Sequence, residues 1–190
     1  MPRSSAPHIY QLKISLKGAK PPIWRRVLVK SDIDLGTLHE VIQAAMGWLN
    51  CHMHQFVVGG TLIGVQDDND FGLDMDVEDE RKWRIDHVLR GEKDKLHYEY
   101  DFGDDWQHQI TLEKILPFDP KERLPRCVTG RRACPPEDCG GIWGYEELLE
   151  ILDDPTHPEY DEILEWLGDE FDPAYFETEV TNAMLKTFVN

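Results

Sequence analysis

The chain has 190 residues and a formal charge of −17, from 37 Asp and Glu against 20 Lys and Arg. With 41% apolar and 10% aromatic residues it can bury a substantial core, which excludes a disordered acidic tail. That charge repels a phosphate backbone, so nucleic-acid binding is unfavoured, and no run of 18 apolar residues offers a membrane span.

Residues 1–7, including "PRSSAP", read as a flexible tail without the apolar stretch of a secretory leader. The expectation is a cytoplasmic protein, in which four cysteines read as free thiols or metal ligands rather than disulfides. "HIYQLKISL" alternates apolar and polar residues as a half-buried strand does, and "PPIWRRVLV" is a second β-rich run. In the latter, Arg25 and Arg26 beside Trp24 suit stacking, or pairing with an acid. The period then changes. Leu38, Val41, Ile42, Ala45 and Met46 fall on one helical face, with Thr37 as the expected cap and Gly47 as the stop. "HMHQFVVGGTLIGV" predicts a hairpin around Gly59–Gly60. The acidic run from Asp67 to Glu78 imitates a calcium loop, but Phe71 stands where a ligand is needed. A short helix near "RIDHVLR" and a second hairpin, "KLHYEYDFGDDWQHQITLEKIL", follow.

From Pro117 the composition changes to a proline-rich connector, a cysteine-containing turn and helices. Residues 141–180 hold fourteen acids and no Lys or Arg. Asp172 and Pro173 are placed to start the last helix. The expected fold is therefore α+β, a mixed, largely antiparallel sheet in the order β-β-α-β-β-α-β-β, with an acidic helical C-terminal third. Residues 8–190 form a single expected domain, with 8–116 as its sheet-rich core and 117–190 as the turn and helices.

The ordered set "PPIWRRV", "LH..IQAAMGW", "HMHQF", "YDFGDDWQH", "RRACPPEDCGGIWGY" and "FDPAYF" resembles the plasmid pRiA-type ORF-three-like family, some members of which carry a transposon-passenger TnpR-type label. The resemblance implies an α+β domain of uncharacterised function linked to mobile elements, with no catalytic residues to carry over. Resolvase chemistry does not fit the residues. The only serines are Ser4, Ser5, Ser15 and Ser31, and no arginine cluster surrounds them to neutralise a phosphodiester.

Two constellations could carry chemistry. Cys127, Cys134 and Cys139, with Cys51 as a fourth ligand, have the donor type zinc prefers; the bland alternative is a rigid turn with buried thiols and Glu137 and Asp138 before a helix. His52 and His54 share one face of a strand, and His108 lies on the second hairpin near Asp101, Asp104 and Asp105. If the hairpins are neighbours, those histidines with Asp104 or Asp105 would hold a water-activating metal; otherwise they pack against aromatics. Two readings follow. One is an uncharacterised cytosolic binding or interaction domain whose acidic helices face a basic protein partner. The other is a metal-dependent enzyme of hydrolase type, or a structural zinc-binding domain.

Overall fold

The computed structural model describes residues 7–65, 77–168 and 171–188; the tail residues before Pro7 and most of the calcium-like run lie outside them. Among the described residues eight strands form one sheet: β1 (Ile9–Leu16), β2 (Trp24–Lys30), β3 (His54–Val58), β4 (Thr61–Gly64), β5 (Val77–Asp79), β6 (Lys95–Tyr100), β7 (Trp106–Leu116) and β8 (Arg126–Arg131). The spatial order is β5-β4-β3-β6-β7-β1-β2-β8. Every neighbouring pair is antiparallel except β4–β5. The two expected hairpins do lie side by side, through β3 and β6, with His54 opposite Tyr100 and Phe56 opposite Tyr98.

The period-2 pattern of β1 buries Tyr10, Leu12, Ile14 and Leu16 on one face. Phe56, Tyr98, His108, Ile110 and Leu112 extend that face, and helix α1 (Leu35–Met46) contributes Leu38, Val41, Ile42 and Ala45 to the same core. Asp34, not Thr37, caps α1, its carboxylate accepting from the Thr37 amide at 2.7 Å. Gly47 ends the helix in the left-handed conformation, as expected. A 3-10 turn (Glu80–Lys82) and the short α2 (Ile85–Val88) follow β5.

Three helices complete the chain: α3 (Gly141–Asp153), α4 (Tyr160–Leu167) and α5 (Thr178–Phe188). The last begins at Thr178 rather than at Pro173. Asp172 does organise a turn, accepting from the Ala174 and Tyr175 amides, but Phe176 is drawn onto the Arg25 guanidinium 4.6 Å from its ring. Gly130 lies beneath Phe176, where a Cβ would come within 2.6 Å of the ring. Arg25 is buried and gives its protons to the carbonyls of Ala45, Trp24 and Arg131, while Arg26 pairs with Glu113. Both arginines are thus engaged within the protein. On α5, Asn182 bonds both backbone groups of Cys127, covering part of the edge of β8.

Candidate metal centre

The hairpin turn between β6 and β7 places the first site residue. Asp101 sits at φ +58°, a left-handed conformation that Asp adopts more readily than most residues. Its Oδ1 accepts from the amides of Gly103 and Asp104, which fixes the carboxylate and aims Oδ2 the other way. Oδ2 is buried and, among the described residues, has no hydrogen-bond partner. Opposite it, 3.6 Å away, stands Nε2 of His52, also buried and also without a partner among those residues. His52 precedes β3, and its ring meets Tyr100 edge-on at 5.8 Å.

The stretch "PPEDCGG" supplies the rest, through its acids. Oε2 of Glu137 lies 3.7 Å and Oδ1 of Asp138 3.3 Å from His52 Nε2. Two contacts seat this loop on the hairpin. The Gly140 amide donates to Asp104 Oδ2 at 3.2 Å, and Gly141 packs on the Asp104 backbone so closely that a Cβ would not fit. Glu137 is further held by the Leu49 amide at 2.9 Å and the Tyr100 hydroxyl at 3.1 Å. The Cys51 amide donates to that same hydroxyl at 3.2 Å. Burial and the Glu137 charge push the Tyr100 hydroxyl far up, so it stays protonated and remains a donor.

Two groups of donors could hold an ion here: His52, Asp101 and Asp138, or Cys51, His52 and Glu137, the donor atoms within each group all lying within 4.8 Å of one another. Ligands at about 2.0–2.2 Å from a tetrahedral ion sit roughly 3.3–3.6 Å apart, which the carboxylates already approach at 3.3–3.7 Å from His52 Nε2, while the remaining pairs lie within 4.8 Å. His52 and Asp101 also line a cleft of about 640 Å3, together with His39, His54 and Glu80.

The other residues singled out in the sequence go elsewhere. His54 Nε2 bonds the buried Glu80 carboxylate at 2.7 Å, and its ring stacks on His39 at 3.4 Å. His39 is held neutral, its pKa lowered to about 3 by burial and then by the His54 ring. Its Nε2 therefore donates to Asn50, and its Nδ1 accepts from Tyr98, whose hydroxyl in turn accepts from Gln43. His108 is fully buried and likewise lowered to about 3; it donates to the Trp106 carbonyl and meets Trp48 edge-on. Asp104 tethers the loop, while Asp105 bonds Gln107. Among the described residues, Cys127, Cys134 and Cys139 form no three-ligand group. Burial pushes all three thiols up, Cys139 to about 12. Cys51 alone of the four is exposed.

Glu137 and Asp138 are thus the ligand candidates that spacing did not select, and Asp101 is the member of the turn trio with Asp104 and Asp105 that faces His52. Asp138 at φ +57° shares with Asp101 a left-handed backbone that only folding shows.

The match between this chain and known proteins is broad. The family model for plasmid pRiA4b ORF-3-like protein matches residues 8–180. The chain belongs to that family. It is 39% identical over 152 residues to the uncharacterized protein y4hQ of Sinorhizobium fredii (strain NBRC 101917 / NGR234), covering 80% of this chain and 77% of that protein. The crystal structure of MM3350, a protein of unknown function from Methanosarcina mazei Go1, superposes with a TM-score of 0.81 at 42% identity. That similarity covers 92% of this chain and 98% of MM3350. Among the described residues no helix is long and apolar enough to cross a membrane.

Proposed function

We propose that this member of the family is a divalent-cation-binding domain, with His52 at the centre of its site and Asp101, Glu137 and Asp138 around it. The observation that carries the reading is the pair of buried atoms, His52 Nε2 and Asp101 Oδ2, which have no hydrogen-bond partner among the described residues and face each other at 3.6 Å. A buried carboxylate oxygen without a donor is unfavourable, and a cation supplies what is missing. The cleft that His52 and Asp101 line has room for water beside the site, so a hydrolase of this kind would work through these two residues rather than through His54, His108, Asp104 or Asp105. The test is calorimetric titration of chelator-stripped protein with Zn2+ and with Mn2+. One ion per chain is expected, with binding lost in His52→Ala. If neither ion binds, or if the variant binds as the native protein does, the reading fails.

A second reading concerns the helical face. Trp143 is 80% and Trp166 50% exposed. Trp166 borders a cleft of about 390 Å3 lined by Asp138, Glu147, Glu159 and Glu162. Exposed tryptophan among carboxylates suits a partner segment rich in Lys or Arg.

A further inference from the structure

The two donor groups differ in chemistry, and they share His52. Cys51, His52 and Glu137 offer sulfur, nitrogen and oxygen; His52, Asp101 and Asp138 offer one nitrogen and two oxygens. Thiolate favours softer ions such as Zn2+ and Co2+, whereas carboxylates favour harder ones such as Mn2+. Nε2 of His52 faces Glu137 at 3.7 Å and Asp138 at 3.3 Å, and a single ring nitrogen holds a single ion. The Tyr100 hydroxyl binds Glu137 and the Cys51 amide together and lies 3.9 Å from Cys51 Sγ, so it presents the sulfur-containing set as a unit. Asp101 is fixed separately, by the amides of its own turn.

Resting on the cation-binding reading, we infer that the site has two alternative ligand sets that share His52, with Cys51 as the selector. A soft ion takes Cys51, His52 and Glu137; a harder ion takes His52, Asp101 and Asp138 and leaves the thiol free. Binding the soft ion converts the Cys51 thiol to thiolate, its proton passing to solvent, and no electrons are exchanged. The Cys51 thiol is then covered by one class of ion and open to reagents under the other.

The experiment titrates stripped native protein with Co2+, following the near-ultraviolet thiolate-to-metal charge-transfer absorption, and with Mn2+, following loss of the free-ion paramagnetic resonance signal. The Co2+ band is expected in the native protein and absent in Cys51→Ser. Mn2+ affinity should agree within about twofold between the two, a difference below half a kcal/mol. Asp101→Asn should do the reverse, weakening Mn2+ at least tenfold while keeping the Co2+ band. Cobalt that binds without the band, or a Cys51→Ser variant that loses Mn2+ as well, overturns the two-set inference while cation binding stands. Failure of both ions to bind overturns both.

Discussion

Replacing Asp101 by Asn removes one negative charge while keeping the local geometry, because Asn also tolerates φ +58° and its carbonyl can still accept from the Gly103 and Asp104 amides. Without an ion, the native carboxylate leaves one buried oxygen unpaired, a penalty of about 1–3 kcal/mol. It also repels the Asp138 carboxylate within 4.8 Å. At an effective dielectric of 20 that separation corresponds to about 3 kcal/mol, but Asp138 is 73% exposed, and solvent screening reduces the contribution to about 1 kcal/mol or less. The amide offers the neighbouring carboxylates a donor in place of that repulsion. Stripped Asp101→Asn is therefore expected to be more stable than the native chain by about 1–3 kcal/mol, or roughly 3–10 °C in melting temperature for a chain of this size. Excess Mn2+ should narrow that difference. At a hundredfold over the native dissociation constant it adds about 2.7 kcal/mol to the native protein and, to a variant weakened tenfold, about 1.4 kcal/mol. The assay is differential scanning fluorimetry at pH 8, with chelator and with Mn2+. A variant that melts below the native protein in chelator, or that is raised equally by Mn2+, refutes the argument.

Acid should act on the core through its histidines. His108 and His39 have folded pKa values lowered to about 3, so between about pH 6.5 and 3 the unfolded chain binds protons that the folded chain refuses. Their contribution is complete above pH 6.5 and is lost as pH falls, with a joint slope approaching 2.7 kcal/mol per pH unit. Urea unfolding from pH 7 to 4 should show His108→Gln with a shallower dependence than the native protein, by up to about 1.4 kcal/mol per unit, and equal slopes would count against a neutral buried His108. Gly141→Ala touches no candidate ligand, yet at φ +69° with the Asp104 backbone against it, a methyl group must push the loop off the hairpin. The expected result is a loss of about 1–3 kcal/mol in stability together with weaker Mn2+ binding, read from melting and titration. Unchanged affinity would mean that the loop is held by other contacts.

Much of the fold could be read in advance because its signals are local. The alternation of β1, the 3.6-residue stripe of α1 and the two glycine-centred hairpins each follow from their own residues. β8 carries no strand signal of its own. It lies at the edge of the sheet, only Cys127 of its six residues is buried, and "RCVTGR" therefore shows no alternation. α5 starts later than its local signals because Asp172 and Pro173, sound as start signals, are overridden by the seating of Phe176 against Arg25 and Gly130.

The candidate site failed the same test of locality, and for a physical reason. Spacing selects ligands that one turn can present together, which favoured the cysteines of "RRACPPEDCGG" and the His-x-His of "HMHQF". His52 instead meets an aspartate forty-nine residues on and an acidic pair some thirty-six residues beyond that, brought together by the β3–β6 pairing and the Gly140–Gly141 seat. Yet that acidic pair stands between two prolines that stiffen the chain and two glycines that permit close approach. A loop built so rigidly around exposed thiols would make sense for a zinc knuckle; around thiols kept protonated by burial it makes sense only for what lies between them. Asp101 leaves a buried oxygen unpaired among the described residues, and the equally unpaired His52 Nε2 faces it, each a local penalty. Where a fold concentrates such penalties on side chains that face one another, a ligand that relieves them is the most economical account.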